Sequence, residues 1–212
     1  MQALSEKENE LMNKGQLLPI MEHFYTLQGE GAHTGMASYF IRIGGCDVGC
    51  HWCDVKESWE AGKHPLTNVD FLVEEAIKYS KTIVLTGGEP LMWNLDYITA
   101  KFKKHGCKIH IETSGAYGLS GELDWICLSP KKTQLPKFEV IKKANELKCI
   151  IFNNNDFEFA EKFAAQVPEN CKLFLQPEWS KREVMMPRIV DYILENNKWK
   201  VSLQTHKYLN IP

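Results

Sequence analysis

From Leu17 onward, short apolar runs rich in β-branched and aromatic residues alternate with longer stretches of helical period. No other feature restricts the fold as strongly. Strands are predicted at Ile20–Leu27, Ala37–Gly44, Thr82–Thr86, Lys108–Glu112, Trp125–Ser129, Lys148–Phe152, Lys172–Gln176 and Lys200–Thr205. Helices are predicted at Asn68–Ser80, Leu95–His105, Glu139–Glu146, Phe157–Gln166 and Val184–Asn196. In the first of these, Thr67 or Asn68 can cap a rhythm through Phe71, Leu72, Glu75, Ala76 and Tyr79. Strand–helix–strand order implies right-handed βαβ units and a largely parallel sheet. The 212 residues are too few for a complete eightfold barrel, which takes about 250. The expected fold class is therefore α/β, an open sheet or partial β/α barrel. Residues 17–212 are expected to form one domain behind a polar lead-in, residues 1–16.

In such sheets ligands bind at the carboxyl ends of the strands. The reactive residue types gather there: Thr86-Gly87-Gly88-Glu89-Pro90, Thr113-Ser114-Gly115, Ser129-Pro130-Lys131, Gln176-Pro177 and Thr205-His206. Convergence on one rim indicates an enzyme. Composition narrows the setting. Lys and Arg number 25 against 27 Asp and Glu, a net charge of −2, which offers no footprint for nucleic acid or an anionic membrane. No apolar run approaches the roughly 20 residues of a membrane span, and the acidic, polar start does not resemble a signal peptide. A cytoplasmic, reducing location is expected. There an odd count of seven cysteines points to metal or catalysis before disulfides.

Three of the seven lie in Gly44-Gly45-Cys46-Asp47-Val48-Gly49-Cys50-His51-Trp52-Cys53-Asp54, a C-x3-C-x2-C run on a glycine-rich loop after a strand. Three thiolates so close together can wrap one centre, and the glycines let the backbone approach it. A 4Fe-4S cluster on three cysteines leaves one iron open. A structural zinc ion wants four ligands, and only His51 stands ready as the fourth. Cys107, Cys127, Cys149 and Cys171 sit in or beside apolar strands and read as small buried hydrophobes. Upstream, Gln28 and Glu30 share a turn in Leu27-Gln28-Gly29-Glu30-Gly31, with Arg42 on the next strand. The trio suits a flat heterocycle bearing a carboxylate. It reads equally well as exposed turn polarity and a surface arginine.

The cysteine run, followed by an apolar strand ending in Gly87-Gly88-Glu89-Pro90, resembles the radical S-adenosylmethionine (SAM) superfamily. The resemblance implies a 4Fe-4S cluster on Cys46, Cys50 and Cys53 whose open iron is chelated by the methionine part of SAM. It puts the Gly88–Glu89 turn at the SAM amine and Trp52, beside His51 and Cys53, near the adenine. Reduction of the cluster would cleave SAM to a 5′-deoxyadenosyl radical, which abstracts a hydrogen atom.

From Ile20 to Pro212 the chain is similar to the 7-carboxy-7-deazaguanine synthase family of that superfamily. The similarity rests on Leu27-Gln28-Gly29-Glu30-Gly31, the Trp52-Cys53-Asp54 ending of the cysteine run, the Thr86–Pro90 turn, Glu112-Thr113-Ser114-Gly115, Ser129-Pro130-Lys131 and Gln204-Thr205-His206-Lys207-Tyr208. It implies a reduced partial barrel of the radical SAM type. The implied reaction is rearrangement of 6-carboxy-5,6,7,8-tetrahydropterin to 7-carboxy-7-deazaguanine with loss of ammonia, a carbon–nitrogen lyase step toward queuosine-type nucleosides. Leu27, Gln28, Gly29, Glu30, Arg42 and Thr86 would meet the pterin. His206, on a terminal strand, and the Pro212 carboxylate would join them, with Glu30 and His206 as catalytic groups. Gly88, Glu89, Ser114, Ser129, Pro130, Lys131 and Gln176 would line the cofactor site. A magnesium ion is expected near Asp54, although Val55 replaces the family's usual threonine and offers no oxygen. A flavodoxin or ferredoxin donor and a homodimer are implied as well. The rival expectations are a glycyl-radical enzyme activase and a non-catalytic zinc-binding protein.

Overall fold

The computed structural model describes residues 5–212, so the first four residues of the expected lead-in lie outside the described part. Helix α1 (Glu6–Asn13) opens on Ser5. The Ser5 hydroxyl accepts from the Glu8 amide at 3.3 Å, and the Glu8 carboxylate accepts from the Ser5 amide at 2.8 Å. It buries no residue of its own, as its polar sequence dictates.

One nine-stranded sheet follows. Its strands are β1 (Leu17–Leu27), β2 (Ala37–Ile43), β3 (Leu66–Asn68), β4 (Thr82–Gly87) and β5 (Lys108–Thr113), then β6 (Trp125–Leu128), β7 (Glu146–Ile151), β8 (Lys172–Pro177) and β9 (Trp199–Val201). Their spatial order is β3-β1-β2-β4-β5-β6-β7-β8-β9. Strand β1 runs antiparallel to β2 and β3, and every later pairing is parallel. The parallel majority and the open order agree with a partial barrel. The antiparallel edge was not expected, because Leu66–Asn68 is too short to show a period. It pairs with the start of β1, Leu17 opposite Asn68.

Helices α2 (Val69–Ala76), α3 (Asp96–Lys104), α4 (Phe138–Lys143), α5 (Asn155–Ala164) and α6 (Arg182–Glu195) fill the crossovers, and α7 (Thr205–Leu209) ends the fold. None is long and apolar enough to cross a membrane. Asn68 caps α2 by accepting from the Asp70 amide at 2.8 Å. The helix buries Val69, Leu72, Val73 and Ala76, so Leu72 and Ala76 of the predicted rhythm face the core. Phe71 and Tyr79 instead stay exposed and meet His23 and Tyr25 at ring distances of 6.3 and 6.0 Å.

Two boundaries differ in ways that matter for the site. The helix predicted over Glu139–Glu146 stops at Lys143, and Glu146 opens β7, paired with Cys127 on one side and Lys172 on the other. His206 does not sit on a strand. Strand β9 ends at Val201, and the Thr205 amide and hydroxyl both donate to the Gly29 carbonyl, at 2.9 and 2.8 Å. That contact turns the chain into α7 and puts His206 on a helix.

Alternation along each strand separates two environments. On β7, Leu147, Cys149 and Ile151 join the helix-side core, while Lys148 and Ile150 face the concave side. On β5, Ile109 and Ile111 are core residues and Glu112 is turned inward. Cys107, Cys127, Cys149 and Cys171 are buried, in line with their reading as hydrophobes. Burial pushes the Cys149 and Cys171 thiols up, Cys171 to about 12, which keeps both protonated.

Candidate active site

The cysteine loop leaves β2 and is stitched to the turn after β4. The Gly88 amide donates to the Ile43 carbonyl at 2.9 Å, and the Glu89 amide donates to the Gly45 carbonyl at 2.8 Å. Gly87 has φ +124°, which a side chain would strain, and it packs directly on the backbone of Ile43. A Cβ on Gly88 would collide with the Gly45 carbonyl and come within 3.0 Å of the Cys46 Cβ. The Trp93 indole donates to the Gly44 carbonyl at 3.0 Å, and the Tyr117 hydroxyl donates to Asp47 at 2.5 Å. Sequence alone explains this: only glycines at these positions let one loop lie against the next. Cys46, Cys50 and Cys53 are free and half-buried. Burial raises the Cys46 and Cys50 thiols. Among the described residues, no three His, Cys, Asp or Glu groups are gathered tightly enough to hold a single metal ion.

Glu89 is almost fully buried. Its carboxylate accepts from the Leu91 amide at 3.0 Å, the Thr113 hydroxyl at 2.5 Å and the Ser114 amide at 2.8 Å, and also from the Ser114 hydroxyl. One side chain thereby joins the carboxyl ends of β4 and β5. Nearby, Lys131 donates to the Ser129 hydroxyl at 2.5 Å and lies 5.3 Å from the Trp52 ring centre. Gln176 accepts from the Ser202 hydroxyl at 2.6 Å.

On the β1 side, the Gln28 amide group donates to Glu112 at 2.8 Å, and the Gln28 carbonyl oxygen accepts from the Glu30 amide at 3.1 Å. The Lys148 ammonium donates to the Glu30 carboxylate and stands 3.8 Å from Glu112. Burial pushes the Glu30 carboxyl up, but Lys148, supported by His206 and Gln204, outweighs it and brings the group down to about 2. Burial lowers the His206 imidazole, against the pull of Glu30. Gly29 leaves no room for a side chain, since a Cβ there would overlap the His206 ring. The Arg42 Nε is buried without a hydrogen bond: Glu22 is 3.0 Å away, but off the N–H direction. At the far end of the chain, Lys207 and Gln204 reach Asp54 at 3.0 and 3.3 Å.

These groups border one solvent-open cleft, lined by the three cysteines as well as by Gln28, Glu30 and Arg42. A sequence profile of the radical SAM superfamily matches residues 40–125. The 7-carboxy-7-deazaguanine synthase of Flavobacterium psychrophilum is 63% identical over 201 residues, covering 95% of this chain and 96% of the relative. The chain belongs to the 7-carboxy-7-deazaguanine synthase family. Its namesake from Synechocystis is 48% identical over 91% of this chain and 93% of its own. The crystal structure of QueE from Escherichia coli superposes with a TM-score of 0.81 at 29% identity, covering 95% of this chain and 100% of that one. Membership in a radical SAM family implies a 4Fe-4S cluster and SAM. Neither rival reading of the cysteine run has support among these relatives.

Most residues singled out from the sequence lie on this cleft. Leu27, Gly29, Thr86, His206 and Pro212 line it on the side of Gln28, Glu30 and Arg42. Trp52, Gly88, Glu89, Ser114, Ser129, Lys131 and Gln176 border it too, as do Asp54 and Val55. His51 and Pro130 do not. His51 is exposed, with its ring edge-on to Phe152 at 5.1 Å, and Pro130 is buried away from the cleft. The lining residues without a role assigned from the sequence include Glu112, Lys148, Trp179 and Gln204. Glu112 and Gln204 belong to motifs that carried the resemblance, so a signal existed for both. Lys148 and Trp179 had none.

Proposed function

We propose that the cleft holds a 4Fe-4S cluster, SAM and 6-carboxy-5,6,7,8-tetrahydropterin together, and that the enzyme converts the pterin to 7-carboxy-7-deazaguanine with release of ammonia. The observation that carries this reading is the meeting of Cys46, Cys50 and Cys53 with Gln28, Glu30 and Arg42 on one cleft. The donor set suits a cluster: three free thiols on one loop, beside backbone that has no Cβ at Gly45 and Gly88. When bound, the cluster and SAM supply a 5′-deoxyadenosyl radical that takes a hydrogen atom from the substrate.

The chain's own residues bind, orient and shield. Cys46, Cys50 and Cys53 would hold the cluster and leave one iron open to SAM. Gly88 gives the SAM amine access to the turn, and Glu89 keeps that turn rigid through Thr113 and Ser114. Ser129, Lys131 and Gln176 flank the cofactor with Trp52. Arg42, whose buried Nε lacks a hydrogen bond, takes the substrate carboxylate. Gln28 and the ionised Glu30 accept from the N–H edge of the pterin, with Leu27, Gly29, Thr86 and Pro212 around it. His206 stays uncharged near neutral pH and moves a proton as ammonia departs.

Magnesium fits this chain poorly. Val55 offers no oxygen, and Asp54 already receives Lys207 and Gln204. No step is assigned to it. The electron comes from a small one-electron carrier of the flavodoxin or ferredoxin type, and Asp47, Gly49 and His51 on the exposed side of the cysteine loop give it an approach.

Anaerobically reconstituted protein supplied with a reductant, SAM and the carboxytetrahydropterin should form 5′-deoxyadenosine and the deazapurine chromophore. Replacing Cys46, Cys50 or Cys53 by Ala should abolish both products together with the brown absorbance, whereas Cys107→Ala should preserve them. Turnover by a cluster-free triple variant, or 5′-deoxyadenosine without any deazapurine, would sink the proposal.

A further inference from the structure

Lys148 projects from β7 into the concave side with 6% of its side chain exposed. A buried ammonium persists only when its charge is matched, and this one faces two carboxylates from different elements. It donates to Glu30, on the turn after β1, and stands 3.8 Å from Glu112 on β5. Glu112 accepts from the Gln28 side chain at 2.8 Å, and the Gln28 carbonyl oxygen accepts from the Glu30 amide at 3.1 Å. The four residues close a circuit around one cation. Without it, the Glu30 carboxyl would lose the cation that outweighs its burial.

We propose that Lys148 is a positioning residue. It holds the Glu30 carboxylate ionised and in place beside Glu112, facing the cleft, so that the site selects a heterocycle edge that donates hydrogen bonds and rejects one that accepts them. This deepens the functional reading above and rests on its placement of Glu30 at the substrate. Lys148 acts through the acids: a lysine has three N–H donors, and the carboxylates face this one. The other ionisable groups facing the pair are Glu146 on β7, Cys127 on β6, Lys131 beyond β6 and His206 on α7, with the neutral Gln204 beside Glu30. Among these only Lys131 and His206 can bring positive charge. Lys131 is held at Ser129, and His206 is lowered by burial, so neither replaces Lys148.

The test compares wild-type enzyme with Lys148→Met, Lys148→Arg, Glu30→Gln and the Glu30→Gln/Lys148→Met pair. Binding of the carboxytetrahydropterin to the SAM-loaded, oxidised enzyme is measured by calorimetry, and kcat/KM is followed from pH 5 to 9. K148M should weaken binding roughly tenfold or more, the scale of a lost charge-assisted hydrogen bond. It should also add an acid limb, with kcat/KM falling as pH drops. K148R should restore the wild-type profile. K148M should add little in the E30Q background, because the acid it serves is gone. An unchanged affinity and profile in K148M, an acid limb in K148R, or an undiminished K148M defect on E30Q would overturn the proposal. If K148M does not fold, K148R and the double variant decide the same question. Wild-type enzyme that ignores the pterin fails the functional reading instead. Lys148 is then judged by the Glu30 carboxyl infrared band, which should titrate in the assay range in K148M and not in K148R.

Discussion

The Lys207 ammonium stands 3.0 Å from the Asp54 carboxylate, which fastens the last helix to the end of the cysteine loop. Gln204 reaches the same oxygen at 3.3 Å, and Lys207 also lies 4.8 Å from the Trp179 ring centre. Asp54 is 55% exposed, so this pair contributes little to stability, on the order of 0–1 kcal/mol. Its effect is on alignment, since His206 is the residue directly before Lys207. Lys207→Met should therefore leave the melting temperature and the cluster absorbance near wild type while raising KM for the pterin. A large loss of thermal stability with unchanged KM would show a structural pair only.

The same contact bears on metal dependence. With Asp54 engaged and Val55 lacking an oxygen, treatment with a chelator too weak to strip iron should leave turnover essentially unchanged, and added magnesium should not raise it. Strong activation by magnesium would mean that Asp54 leaves Lys207 to ligate the ion.

Glu89→Gln preserves volume but turns an N–H₂ group toward donors that now share a carboxylate. Because the site is buried, the cost should be roughly 2–3 kcal/mol of unfolding free energy. Denaturant titration of the purified variants decides this. A loss within error of zero would show that the turn relaxes around the amide.

Acid stability should report Glu30. Its folded carboxyl value of about 2 lies below the ordinary 4.5, so the stability tied to its ionisation is complete above about pH 4.5 and fades as pH falls toward 2. Glu30→Gln lacks that contribution. The stability gap between wild type and the variant should thus narrow across this window, by an amount on the order of a few kcal/mol. A gap independent of pH would place the Glu30 carboxyl at its ordinary value in the folded protein.

How far the site could be read in advance depended on whether its signal was local. The cysteine loop and the Gly87–Pro90 turn are local: their spacing and their glycines are sufficient to single them out, and in the fold the two lie against each other. Lys148 was illegible for a physical reason. It opens the predicted strand Lys148–Phe152, and a lysine there reads as the solvated end of a strand. Only the curvature of the whole sheet turns that face inward, so the same alternation that looks like exposure delivers a buried cation. His206 failed differently. Its neighbourhood alternates like a strand, but the contact of Thr205 with Gly29, 176 positions earlier, imposes a helix that no nearby residue announces. The face of α2 was half legible, through Leu72 and Ala76, for a related reason. Phe71 and Tyr79 are large and apolar, yet the sheet accepts Val69 and Val73, and the rings cover His23 and Tyr25 at the edge.

Sequence distance also separates the two halves of the cleft in time. The three cysteines come from eight consecutive positions on one loop, whereas Glu30 meets Lys148 across 118 positions and Gly29 meets Thr205 across 176. Closing such long loops costs chain entropy, so the Gln28–Glu30 side of the cleft is complete only after the segment beyond β9 has docked on Gly29. The thiols have no such wait. A chain interrupted before β9 would keep the whole cysteine loop but lose the contact of Thr205 with Gly29, and with it the placement of His206 beside Glu30.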